Sequence, residues 1–148
     1  MTTYAIAHIT HLFCAIIFVG GVFFEMLILS AIHNKQVSRE ARKETEQAIS
    51  RRATLVMPVV VISVFVSGLV MTRRYVEAFA QPLSSPFSIQ LVFKVFLALS
   101  VLLHFIIAVS KMRRGTLTLA WSKYIHRAVF CHMILIVFLA KSMFYLSW

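Results

Sequence analysis

Six histidines and a few charged side chains interrupt the apolar runs of this 148-residue chain, and through them it can do chemistry. His8, His11, Glu25 and His33 fall in the first run, Lys94 and His104 in the third, and His126, His132 and Lys141 in the last. An ionisable group inside a membrane helix costs about 3 kcal/mol even on lenient insertion scales, so each must face a partner, a cavity or a bundle interior. Imidazoles on facing helices at matched depth are how helical bundles hold haem iron, and a nearby cation pairs with a propionate. His104 with His132 offers such a pair, and His11 suits an outer site with Lys94 as its charge partner. Glu25 suits a proton relay. Each group also has a structural reading: an imidazole bonding a neighbouring helix's carbonyl, a protonated Glu25 bonded across helices, and His8, His33 and His126 at the interface. Imidazole with sulfur ligands also suits Cu(I). Met26, Met57, Met71, Met133 and Met143 have no MxxxM spacing, however, and read as packing residues. No Ser/His/Asp order, HExxH, phosphate loop or Gly-rich nucleotide motif is present.

The elements that must position these groups follow from composition. The chain is 60% hydrophobic and 14% charged, with a mean hydropathy of +0.86, too apolar for a soluble domain of this length. Apolar stretches at residues 4–33, 54–72, 87–110 and 125–148 each reach the roughly 20 residues that cross a hydrocarbon core. Backbone groups cannot go unpaired in lipid, so these are helices. The expected fold is all-α: one integral membrane four-helix bundle with no separate soluble domain. The first stretch lacks a charged leading region and carries His8, His11 and Glu25, which argues against a cleaved signal. The net charge of +10 lies between the apolar runs and suits lipid headgroups rather than nucleic acid. Cys14 and Cys131 lie inside apolar runs and form no CxxC pair.

Six basic residues, Lys35, Arg39, Arg42, Lys43, Arg51 and Arg52, follow the first helix, and five, Lys111, Arg113, Arg114, Lys123 and Arg127, surround the last turn. The opposite side has Arg73 and Arg74. The positive-inside rule then puts both termini outside and both basic connections in the cytoplasm. Residues 34–52 are expected to extend the helices beyond the membrane as a short hairpin, and residues 81–86 to form a loop. At 100° per residue, His8, His11, Glu25 and His33 share an arc of about 100°, one polar stripe beside Gly20 and Gly21, which let a helix or a flat ligand come close. His11 and Lys94 each lie about seven residues from an outer end, roughly 10 Å deep, while Glu25, His104 and His132 share a deeper level. His132 and Lys141, nine residues apart, take opposite faces, so Lys141 snorkels outward or is covered by a second protomer.

The order of these features resembles the HemJ family of small membrane proteins and the related CopD-type copper-resistance domain. The resemblance rests on His11 to Gly21 in HLFCAIIFVGG, with His33 at that helix's end. It continues with Arg51, Arg52, Met57, Pro58 and Gly68 in RRATLVMPVVVISVFVSGL, and with Lys94 and His104 in FKVFLALSVLLH. The match spans all four helices through loose motifs. It implies a haem b binding redox protein of the bacterial inner membrane, similar to protoporphyrinogen oxidases. His11 would be haem-associated, Lys94 a functional cation and Arg127 a retained basic residue, with a quinone or porphyrin-like molecule as partner. The chain departs from the family at Glu25 and Met26, where a Pro-Arg pair is usual, and at residues 128–132, AVFCH, where Asn-Glu-x-Pro is usual. Two alternatives stand beside it: a CopD-like copper transport or tolerance protein, and a non-catalytic subunit of a respiratory membrane complex. A homodimer or larger complex is compatible with each.

Overall fold

The computed structural model describes residues 2–146, and all regular structure among them is helical. Four helices are long and apolar enough to cross a membrane. The chain is an all-α membrane protein made of two compact helical units, residues 1–73 and 74–148.

In the first unit, α1 (Thr3–Leu27) starts where the Thr2 hydroxyl accepts from the Ala5 amide, and between His11 and Glu25 it is apolar. It does not run on to His33 as one α-helix. After Ile28 the chain tightens into a 3-10 segment, Leu29–His33, so the 100° spacing that would place His33 on the stripe of α1 no longer holds. His33 instead meets Glu46, with Nε2 3.2 Å from Oε1. The turn is clasped by Arg42, which donates from Nε to the Ile32 carbonyl and from its terminal nitrogen to that of Asn34, at 3.1 and 3.3 Å. The expected hairpin beyond the membrane is therefore one-sided, because only the second helix extends. That helix, α2 (Arg39–Thr72), begins at Ser38, whose hydroxyl caps Ala41, with Glu40 in the first turn complementing the helix dipole. Its 34 residues span about 51 Å, roughly 20 Å more than a hydrocarbon core, so its polar first half has to stand outside lipid.

Contacts fix the register of α1 on α2. His11 reaches Val64 and Ser67, and Gly21, ten residues later, faces Met57 earlier in α2, so the pair is antiparallel. The expected close approach is made at Gly21, where a Cβ would stand 2.7 Å from Met57 Cε; Gly20 has nothing within 4 Å. Because the thioether end can swing away, Gly21→Ala is expected to cost under about 1 kcal/mol, whereas Gly21→Leu should cost about 1–3 kcal/mol through overpacking. Thermal unfolding in detergent checks this, and Met57→Ala should restore the Leu variant. Equal stability of the two Gly21 variants would sink the packing account.

The second unit holds the short helix α3 (Val76–Ala80) and the long helices α4 (Pro86–Arg113) and α5 (Leu119–Ser142). Thr118 caps α5 at the Trp121 amide, so this helix starts and ends earlier than hydropathy alone suggests; Ser147 and Trp148 lie outside the described residues. Between α4 and α5, Gly115 has φ +65°, the Thr116 amide bonds back to the Lys111 carbonyl and the Gly115 amide to that of Met112. This is a Schellman ending, which favours glycine because a Cβ is disfavoured in the left-handed region. Gln90 accepts from the Ser142 hydroxyl at 2.6 Å and Ser100 meets His132, so these helices are antiparallel too.

Apolar side chains are turned outward to a degree that water would not permit: Phe13, Ile16, Leu69, Phe96 and Phe138 are all mostly exposed, while Ser67 and Ser88 are buried. Lipid as the solvent removes that conflict, since the hydrocarbon is as apolar as the side chains.

Candidate functional site

His11 is the best-fixed imidazole of the first unit. Its Nδ1 lies 2.9 Å from the Val64 carbonyl and 3.3 Å from Ser67 Oγ. A carbonyl only accepts, so Nδ1 carries the proton, and the neutral ring has its basic nitrogen at Nε2. The Ser67 hydroxyl spends its own proton on the Ser63 carbonyl at 2.5 Å, which leaves its oxygen to share the His11 proton. Gly68 makes the approach possible, because it lies one helical turn beyond Val64 and has no side chain to shield that carbonyl. A Cβ there would come within 3.3 Å of the His11 ring. A ring N–H donated to a backbone carbonyl is the usual support for a ligating histidine, since it fixes the tautomer and raises basicity at the other nitrogen. By donor chemistry and by this glycine cradle, His11 fits an iron ligand.

The other expected groups of this unit lie toward its ends. Glu25 is exposed in the last turn of α1, just before the helix tightens. His8 is exposed with its ring 6.0 Å from Tyr4, and His33 is engaged by Glu46.

In the second unit, His104 and His132 do come together, as their expected common level requires: their ring centroids are 5.7 Å apart, tilted by 51°. Each donates Nδ1–H to the carbonyl four residues earlier in its own helix, His104 to Ser100 at 2.7 Å and His132 to Ala128 at 2.6 Å. With Nδ1 protonated, His132 Nε2 is the acceptor, and the Ser100 hydroxyl donates to it at 3.1 Å. Ser100 thus serves both rings, through its carbonyl and its hydroxyl. The rings meet each other directly, and Leu97 and Val101 of α4 and Val129 and Met133 of α5 are all at least 92% buried. A porphyrin between these two imidazoles would have to part α4 from α5, so the pair as folded does not fit a haem sandwich.

Lys94 is half-buried on α4 and makes no hydrogen bond or ion pair among the described residues. Arg127 is exposed on α5, as is Lys141, which faces away while His132 turns to α4, the split that their spacing demands. His126 is half-buried with Nδ1 3.4 Å from Ser122 Oγ. Both cysteines are free thiols, and Met57, Met133 and Met143 pack against neighbours as expected of gap-fillers. Among the described residues no three His, Cys, Asp or Glu side chains converge as a metal-ion site.

Sequence reasoning passes over Ser67 and Ser100, although a serine one turn before His104 in an apolar helix is a readable signal of a polar pair. Comparison of the chain with family models, curated proteins and solved structures gives no match.

Proposed function

We propose that this chain is a haem b binding redox protein of the bacterial inner membrane, with His11 as an iron ligand. The observation that carries this reading is the His11 Nδ1–H bond to Val64 beside Gly68, which orients a neutral imidazole with a basic Nε2 inside an apolar helix pair. The resemblance to HemJ-type oxidases points the same way. Haem supplies one-electron chemistry when bound. In the second unit, Lys94 makes no hydrogen bond or ion pair among the described residues and suits an anionic carboxylate, such as one of a porphyrin-like substrate. Glu25 exchanges the proton that accompanies electron transfer with a quinone or that substrate.

The test is the absorbance spectrum of protein purified from cells supplied with haem precursor, before and after dithionite. A Soret band that shifts on reduction, at about one haem per chain, is the expected result. Folded, monodisperse protein with no Soret absorbance would overturn the reading.

A further inference from the structure

Two side chains of α4 hold hydrogen-bond donors that the protein itself does not meet. Gln90 and Lys94 are four residues apart, so they stand one above the other on one face of the helix, with Cβ atoms about 6 Å apart. Helix side chains lean toward the N-terminus, which brings Lys94 toward the level of Gln90. Ser142 of α5 fixes that level by donating its hydroxyl to Gln90 Oε1 at 2.6 Å. With its oxygen engaged, the Gln90 amide keeps two N–H donors that meet no acceptor among the described residues. The Lys94 ammonium adds three donors and a charge, also unpartnered among the described residues. Both side chains are half-buried. Lys94 is the only polar side chain in residues 91–99 of α4, and residues 134–140 of α5 have none, so neither stretch offers an acceptor side chain.

These donors select their ligand. One positive charge beside a neutral amide suits a monoanion, and donors from two side chains suit a group with two equivalent acceptor oxygens. A carboxylate is both. Neither α4 nor α5 contains one, so none competes from within the pair. Lys94 lies about 12 Å along α4 from its start at Pro86, below the level where intact lipids hold their phosphodiesters. The carboxylate of an amphiphile without a phosphate headgroup reaches that depth, with its apolar body against outward side chains such as Phe93 and Phe96. We infer that Gln90 and Lys94 bind the carboxylate of an amphiphilic acid dissolved in the membrane, with Ser142 as the residue that positions the Gln90 amide. This rests on the reading of Lys94 as a carboxylate-binding cation and not on haem. A fatty acid and a porphyrin-like acid share the chemistry, and competition separates them.

The experiment reconstitutes the full chain in phosphatidylcholine vesicles with stearic acid spin-labelled near its methyl end, at a pH where the acid is ionised, and measures the motionally restricted fraction by electron paramagnetic resonance. Stearate should be restricted more than equally labelled phosphatidylcholine or phosphatidylglycerol. Lys94→Met should weaken binding by more than about tenfold, as expected for a charged hydrogen bond, and Gln90→Leu by about fivefold, as for a neutral one. Ser142→Ala should give a smaller loss that Ser142→Thr restores. Lys141→Met removes the same charge beside Ser142 but on a side turned from α4, and should change nothing. If Lys94→Met does not fold, Lys94→Arg, which should keep binding, and Gln90→Leu still decide. Unlabelled oleate displacing the label at lower concentration than protoporphyrin IX supports the site with a fatty acid as its ligand, and the reverse order supports it with a porphyrin-like acid. Stearate restricted no more than phosphatidylcholine, phosphatidylglycerol restricted as strongly as stearate, equal losses in Lys94→Met and Lys141→Met, or full binding in Gln90→Leu would each overturn it. Failure of the haem reading removes the Soret band and leaves the stearate signal unchanged, whereas failure of this site does the reverse.

Discussion

If the chain binds haem as proposed, His11→Ala is expected to yield a folded protein that no longer takes it up. The structural share of this side chain is small: its hydrogen bond to Val64 falls on a carbonyl of α2 that keeps its place in the helix ladder, and a net intramolecular hydrogen bond contributes only about 1 kcal/mol. Its chemical share is large, because among the described residues of the first unit no other imidazole is held by a backbone carbonyl of a neighbouring helix, His33 meeting only the Glu46 carboxylate. The Soret band should fall to background while the unfolding temperature in detergent drops by only a few degrees. A second route reaches the same position without touching the ligand. Gly68→Leu fills the cradle in which the ring lies, since even a Cβ there would stand 3.3 Å from it, and should displace His11 from Val64. It should therefore also lower haem content severely. His104→Ala and His132→Ala should keep the full haem complement. An unchanged Soret band in folded His11→Ala protein would make His11 a helix-packing residue.

The four spans can be read from the sequence because lipid imposes both a length and a composition on any crossing helix. Helix ends are less legible, since capping competes with hydropathy. A start at Ile125 follows from the apolar run alone, but Thr118 and the left-handed Gly115 set the true entry into α5 before Lys123 and Arg127. The stripe on α1 fails at His33 for a related reason: helical spacing holds only while the helix stays α, and Leu29–His33 does not. The His104–His132 contact is legible as a shared level on consecutive helices. The grip on each ring is not, because it comes from backbone carbonyls, which every residue has and no motif marks. His11 is intermediate: its ring needs a carbonyl bared by a glycine, and Gly68 is visible in the sequence, but its register against α1 appears only once the pair is folded.

Reporter fusions are expected to place both termini outside and both basic connections in the cytoplasm. Periplasmic alkaline phosphatase fused after the last residue should be active, whereas the same enzyme inserted near Gln36 or at Gly115 should be silent and a cytoplasmic reporter there active. Four crossings put the two ends on one side, so the orientation depends on which pair of connections stays with the translocation machinery. Lys35, Arg39, Arg42, Lys43, Arg51 and Arg52 on one connection, with Lys111, Arg113, Arg114, Lys123 and Arg127 on the other, outweigh Arg73 and Arg74 on the opposite side. Glu40, Glu44 and Glu46 in the first connection offset little, because acidic residues contribute weakly to the rule. The fold adds its own constraint. The roughly 20 Å by which α2 exceeds a hydrocarbon core lies wholly at its N-terminal end, where Arg42 clasps the turn, so that end has to protrude into water. In the second unit Lys111 lies 4.6 Å over the Trp121 ring, an aromatic and a basic anchor of the kind that mark a membrane–water boundary. Active phosphatase at Gln36 and at Gly115 would invert the topology and carry eleven basic residues across the membrane. Activity at one of the two alone would mean that one of the four helices does not cross.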